Sequence, residues 1–240
     1  MIETNPFDSC SEHYGKFRPD YPLGVIDAIY RCCNGLLLDI GAGTGKASVP
    51  FVERGVRVVS IEPSQAMVQQ GLRSCPDLIY VRSTAEELPI ASGSASVVIS
   101  AQAFHWFDGP RALREFTRVL RHDGHVCLFW NTRDPDSPGA RLFDELIRKW
   151  NPGHVPGYEQ KDFGVELQET GLFSSVRHLQ FPQTVKMTID DWIGLSRSIS
   201  YVQSMGAAKL PGFEAELASR LPGLRSLDCR YIAKLWIGSN

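Results

Sequence analysis

Residues 35–45, Gly35-Leu36-Leu37-Leu38-Asp39-Ile40-Gly41-Ala42-Gly43-Thr44-Gly45, decide how the 240-residue chain is read. The apolar run Gly35–Ile40 is short and ends at glycines, the pattern of a buried strand. The glycines after it strip away Cβ atoms, so a ligand can lie against the backbone at the start of the next helix. Two nucleotide-binding patterns fail here. A P-loop needs Gly, four residues, then Gly-Lys-Ser/Thr; Gly45-Lys46 is present, but Ile40 stands at the leading glycine and Ala47 at the magnesium-binding hydroxyl. A dinucleotide fingerprint needs G-x-G-x-x-G, and the last glycine here comes one residue early.

Working outward, strand-like and helix-like segments alternate from residue 35 to about residue 130. Thr44–Arg54 has a helical pattern, with Thr44 as N-cap and Gly55 as stop. Val56–Ile61 is a β-branched strand, and Ser64–Ser74 a helix opened by a serine cap. Leu78–Val81, Ala95–Ala101 and His125–Trp130 are further strands, and Pro110–Arg121 a helix with proline in its first turn. Such alternation predicts an α/β fold with a mostly parallel twisted sheet and helices on both faces. Ligands of these sheets bind outside the carboxyl ends of the strands, which directs attention to residues 39–45, 62–63, 101–107 and 131–133. Beyond residue 130 the pattern predicts a helix over Gly139–Trp150, a Pro/Gly-rich loop over Asn151–Tyr158 and a helix ending near Gly171. Strands follow at Val176–Phe181 and Cys229–Ile237, with helical patterns at Ile189–Met205 and Phe213–Leu221 between them. The chain divides into an arm and first helix over the pocket (1–33) and a main domain (34–240) with helical cap inserts at about 131–174 and 182–227.

Composition is ordinary for a globular protein, with 43% hydrophobic and 22% charged residues and a net charge of −2. That balance leaves no electrostatic footprint for nucleic acid. Arg111, Arg114, Arg118 and Arg121 read as the solvated face of one helix. Met1–Asp8 has neither a basic start nor an apolar run, so no signal peptide is expected there, and no stretch reaches the length of a membrane span. Six cysteines (Cys10, Cys32, Cys33, Cys75, Cys127, Cys229) form no CxxC pair and no metal-ligand spacing. Reduced thiols, a cytoplasmic location, no metal, no nucleic-acid partner and no membrane partner are the expectations; oligomeric state is not legible.

Glu62 closes the second strand within Ile61-Glu62-Pro63-Ser64, where a carboxylate can accept both hydroxyls of an adenosine ribose. With Asp39–Gly45, Met67, the segment Ala85-Glu86-Glu87-Leu88-Pro89 and the segment Ala101-Gln102-Ala103-Phe104-His105-Trp106-Phe107, residues 14–130 resemble the class I S-adenosylmethionine (SAM)-dependent methyltransferases. Within them the chain is most similar to the small-molecule branch that includes trans-aconitate methyltransferase, whose N-terminal arm resembles Tyr14–Pro22. The resemblance implies a Rossmann-like methyltransferase fold, SAM as cofactor, S-adenosylhomocysteine as product, and transfer of a methyl group to a small molecule. Oxygen of a carboxylate or hydroxyl is the favoured acceptor, on resemblance alone.

Roles carried over from the resemblance are as follows. Gly41, Ala42 and Gly43 lie under the methionine part of SAM, and Asp39 either orients that loop or reaches the SAM amine. Glu62 and Pro63 border the ribose. Met67 either packs on the adenine or belongs to the core. Thr84, Ala85 and Glu86 form the adenine loop; relatives carry an acid where Thr84 stands, and Glu86 either helps there or caps a helix. Ala101, Gln102 and His105 end the fourth strand, where cofactor and acceptor meet, and aromatic faces there suit a sulfonium cation. His105 is the candidate catalytic base, or else only orients SAM or closes the pocket. Tyr14, Phe17, Arg18, Tyr21, Trp106, Asn131, Arg133, Arg197 and Tyr201 are the candidate acceptor-side residues, with the arginines suited to gripping a carboxylate or else structural. Rival readings are an NAD-dependent oxidoreductase, a non-catalytic SAM-binding partner or regulatory subunit, and a protein methyltransferase.

Overall fold

The strand Ala95–Ala101 (β4) is buried along its whole length, as a strand covered on both faces must be. In the computed structural model, which describes residues 16–154, 161–220 and 226–240, it lies at the centre of a seven-stranded sheet. Its neighbours are β1 (Leu36–Ile40) on one side and β5 (Leu120–Arg133) on the other. The remaining strands are β2 (Val58–Ile61), β3 (Tyr80–Val81), β6 (Ser175–Met187) and β7 (Leu227–Ser239), in the order β3-β2-β1-β4-β5-β7-β6. Strands β1 to β5 pair in parallel, while β7 runs antiparallel to both β5 and β6. The strand order reverses between β1 and β4, so their carboxyl ends flank the crevice where ligands of open sheets bind.

Helices are α1 (Leu23–Tyr30), α2 (Val49–Val52), α3 (Gln65–Ser74), α4 (Gly109–Val119), α5 (Pro138–Trp150), α6 (Phe163–Glu169), α7 (Ile189–Arg197), α8 (Ser200–Gln203) and α9 (Leu210–Ser219). Alternation along the strands sorts the core. Leu38, Ile40 and Val98 face one side, against Leu113 and Phe116 of α4 and Phe163 and Leu167 of α6. Leu37, Val97 and Ile99 face the other, against Val25, Ile26 and Ile29 of α1 and Phe51 of α2. A third apolar cluster joins Phe143 and Leu146 of α5 to Trp192 and Leu195 of α7, Val202 of α8 and Phe213 of α9. That cluster is the cap.

Several boundaries differ from the sequence reading, each for a local reason. The helix expected from Thr44 starts only at Val49, because Gly43 and Gly45 take φ of +56° and +76°, outside the helical region. The helix expected over Ile189–Met205 breaks at Ser198–Ile199, where Ile199 is extended. The insert drawn as 131–174 is not all cap: α6 packs on the sheet, and Trp130 of β5 stacks on Phe163 at 3.9 Å. Likewise β6 continues to Met187, past the start drawn for the second insert, and tolerates Pro182 because it is the edge strand. Of the four arginines, Arg111 and Arg114 are exposed, but Arg118 donates to the carbonyls of Leu88 and Ile90 and pairs with Glu115. Arg121 lies beyond the helix and pairs with Asn34 and Asp123. The described cysteines are free thiols. Among the described residues no helix is long and apolar enough to cross a membrane. Met1–Asp8, Cys10 and Tyr14, part of the Asn151–Tyr158 loop and the end of the expected 213–221 helix lie outside the described residues.

Candidate active site

The loop after β1 is held by its own neighbours. The amides of Gly41 and Ala42 donate to the carbonyl of Ile61 at 2.9 and 3.1 Å, and that of Gly45 to Ala42 at 2.9 Å. The Gly43 amide donates to a Glu62 carboxylate oxygen at 2.9 Å, while the other oxygen accepts from Ser64 at 2.9 Å. These donors are therefore engaged within the protein, unlike those of a phosphate-binding loop, which point at the ligand. What the loop offers is close approach. Gly41 has φ of +68°, and a Cβ there would lie 2.6 Å from Ala103 and 2.9 Å from the Phe107 ring. At Gly43 no described residue comes within 4 Å of the corresponding position. Tyr80, which the sequence reading passed over, supports the loop from beneath by donating to the Gly43 carbonyl at 3.1 Å. Its only signal in the sequence was an aromatic in the short strand expected over Leu78–Val81.

Asp39 is fully buried on the Leu37 face of β1, where Ser48 closes over it and donates at 2.7 Å. Ser60 lies 2.8 Å from the Ser48 hydroxyl, and Asp39 Oδ1 has no hydrogen-bond partner among the described residues. Burial pushes the carboxyl up to about 7, with Ser48 acting against the shift and the Glu62 charge adding to it.

A small cleft opens between this loop and the end of β4. Gly41, Ala42 and Lys46 line one wall, and Ala101 and Gln102 another. Arg18, Pro19 and Tyr21 of the arm form the side opposite. Gln102 is the single non-glycine described residue with positive φ, +57°, and such strain is typical of functional sites. The arm is tied across this space. Lys46 Nζ donates to the Arg18 carbonyl and to Asp20 at 2.8 Å. Asn131 donates to the carbonyls of Pro19 and Asp20, Gln183 donates to Asn131 and Asp20, and Arg18 reaches Ser198 of the cap at 3.0 Å.

The other expected site residues fall into distinct places. Pro63 is exposed, and its carbonyl accepts from Arg82. Met67 and Ala85 are core-buried, and Thr84 is exposed beside them. Glu86 accepts from the Asp108 amide at 2.9 Å, the helix-end role. In the aromatic segment Phe104 and Phe107 pack the core, leaving His105 half-buried and Trp106 52% exposed. Burial, then the charges of Arg18 and Lys161, lower His105 to about 4, so it is neutral at pH 7. Tyr21 packs edge-on against Phe129, and Phe17 fills the space over Gly194 of α7. Arg133 sits over the Phe143 ring and donates to Tyr201 at 2.8 Å. Arg197 does not join them; its guanidinium grips Glu214 of α9 twice at 2.7 Å. Tyr14 is outside the described residues. Among those described, no group of three or more His, Cys, Asp or Glu side chains is arranged to hold a metal.

Comparison with known proteins bears on this arrangement directly. A family described as a methyltransferase domain matches residues 38–128, from β1 through β5. An uncharacterized methyltransferase of Mycobacterium tuberculosis is 40% identical over 141 residues, 59% of this chain and 58% of that one. The chain thus matches less than two thirds of that relative's length. A Dictyostelium discoideum protein named as a methyltransferase is 34% identical over 81% of this chain and 76% of its own. The chain belongs to the class I SAM-dependent methyltransferase family. A solved structure named for a type II methyltransferase of Anaeromyxobacter dehalogenans shares the fold, with a TM-score of 0.64 at 23% identity over 93% of this chain and 97% of that one. Membership of this family implies SAM as the cofactor. The site fits it: a glycine arch that no described residue fills at Gly43, a buried carboxylate at the end of β2 and an unsatisfied carboxyl oxygen under the arch are what an adenosyl amino acid requires.

Proposed function

We propose that the chain transfers a methyl group from SAM to a small-molecule acceptor, an oxygen of a carboxylate by preference over a hydroxyl. The observation that carries this reading is the arm. A glycine-lined cleft closed on one side by Arg18–Tyr21, itself tied to β5, β6 and the cap, suits an enclosed small ligand better than a polymer laid in a groove.

Gly41, Ala42 and Gly43 would hold the amino-acid part of SAM, and Glu62, whose buried carboxylate closes β2 beside Gly43, the ribose. Met67, Thr84 and Ala85 would border the adenine. Bound SAM supplies a methyl group activated by its positively charged sulfur, ready for in-line displacement. The protein's share is then positioning and exclusion of water. Ala101 and the strained Gln102 bring the end of β4 against the cleft, and the arm covers it. His105, lowered to about 4, is too weak a base to draw a proton from an alcohol near neutral pH. A carboxylate acceptor is already ionised there and needs none. Arg18 on the cleft wall supplies a positive charge that such an acceptor would meet.

Calorimetric titration with SAM and S-adenosylhomocysteine, beside NAD and ATP, tests the reading. Both adenosyl ligands should bind, and Glu62→Ala, checked for an unchanged melting curve, should weaken them tenfold or more. A folded protein that binds neither would end the proposal. Binding followed by a screen of small acids, alcohols and phenols should find turnover among the acids first. Binding with no turnover on any acceptor would favour a non-catalytic partner instead.

A further inference from the structure

Gln102 combines a costly backbone with a lightly used side chain. At φ of +57° its Cβ crowds the neighbouring carbonyl, in a conformation that glycine takes freely. Glycine could therefore make the turn out of β4 into Phe104–Trp106 at less cost, so the long amide needs a reason of its own. Within the protein it does little. Its one side-chain hydrogen bond among the described residues runs from Nε2 to the Asn131 carbonyl, and at 3.4 Å that bond is long. The bond still fixes the amide: two oxygens would repel there, so the NH2 end faces β5, and the carbonyl takes one of its two hydrogens. Asn131 is itself held, its side chain donating to the carbonyls of Pro19 and Asp20. Gln102 lines the cleft with Arg18 and Lys46. Lys46 is paired with Asp20, while Arg18 donates to the uncharged hydroxyl and carbonyl of Ser198. A neutral donor in a cleft with an arginine on its opposite side suits an anion.

We propose that Gln102 selects a carboxylate acceptor: its second amide hydrogen binds the carboxylate oxygen that is not methylated and turns the other toward the methyl group. This rests on the proposed function above. A C–O bond forms at the free oxygen as the C–S bond of the methyl donor breaks, the electron pair stays on sulfur, and no proton moves. The oxygen held by Gln102 becomes the ester carbonyl and goes on accepting, so the same donor holds substrate and product. A hydroxyl acceptor has a single oxygen, and a hydrogen bond donated to it would blunt the nucleophile itself. The strained backbone is thus kept for a side chain that glycine cannot supply.

Calorimetric titration of the S-adenosylhomocysteine complex with benzoate and acetate, beside benzamide and acetamide, tests the assignment. The native complex should bind each acid about tenfold more tightly than the amide of the same shape. Gln102→Met keeps the length and the left-handed strain but has no donor. It should bind the acids about tenfold less tightly, with a smaller loss for the amides. Gln102→Glu sets a carboxylate in the same place and should favour the amides. Gln102→Gly relieves the strain, so it should melt no lower than Gln102→Met and yet lose the acids equally. S-adenosylhomocysteine affinity should change far less than acid affinity in Gln102→Met and Gln102→Gly. Acid binding that survives in Gln102→Met, a native complex without acid preference, or adenosyl affinity lost in step with acid affinity would overturn the inference and leave the cofactor reading intact. A native protein that binds no adenosyl ligand would overturn both.

Discussion

The two walls of the cleft are built on opposite plans. One wall is backbone: three glycines at positive φ within five residues, their amides turned inward and their missing side chains making the room. The other is side chains brought from far along the chain, with Arg18 meeting Ser198 across 180 positions and Gln183 meeting Asp20 across 163. A wall of the first kind admits almost no substitution, and its shape is written in one short stretch. A wall of the second kind can be rebuilt residue by residue without touching the first. On the proposed reading the first wall would serve the cofactor and the second the acceptor, so the two choices would change independently.

That contrast breaks first at Gly41. Gly41→Ala forces a side chain into left-handed backbone and against Ala103 and Phe107, at a cost of about 3 kcal/mol. Thermal unfolding should drop clearly, and S-adenosylhomocysteine affinity should fall about a hundredfold. If affinity survives, the loop is not the cofactor wall. Next is Asn131→Ala, which removes the donors to Pro19 and Asp20 and should cost about 2 kcal/mol of arm docking. Limited proteolysis should then cut near the arm faster, with acceptor KM raised more than adenosyl affinity lowered. An equal loss of both would show that the walls are not independent.

His105 gives a smaller, pH-dependent effect. Its folded value of about 4 lies below the ordinary 6.5, so the unfolded chain binds the proton better. The stability this contributes is fully present above pH 6.5 and is lost as pH falls toward 4. Denaturant midpoints between pH 4 and 7 should flatten in His105→Asn. The smallest effect belongs to Arg197→Ala. An exposed ion pair with Glu214 is worth under about 1 kcal/mol, and ligand affinity should not change. A large loss of acceptor turnover would return Arg197 to the acceptor wall.

How much of this was legible follows the same division. The succession of strands along residues 35–130 and the glycine loop after the first of them could be read because apolar periodicity and glycine spacing are local signals. The helix after the loop was drawn too early, since nothing in Thr44–Ser48 announces that Gly43 and Gly45 are left-handed. The aromatic segment does not say which way its rings point: Phe104 packs in the core, while Phe107 lies between that core and Gly41. Arg197 and Arg133 looked alike in sequence; only the chain's path gives one Glu214 and the other Tyr201. The Asn131–Gln183 tie was out of reach altogether, for it reaches across β7, which lies between β5 and β6 in the sheet.

That placement of β7 has a consequence for the order of assembly. Strand β6 is synthesised before the strand that joins it to the sheet, so until β7 arrives both its edges are open and it is exposed to mispairing with other chains. The half of the sheet that carries the glycine arch needs no such wait. A nascent chain can thus form the glycine arch while the far edge of the sheet, which the arm is tied to through Gln183, is still unpaired.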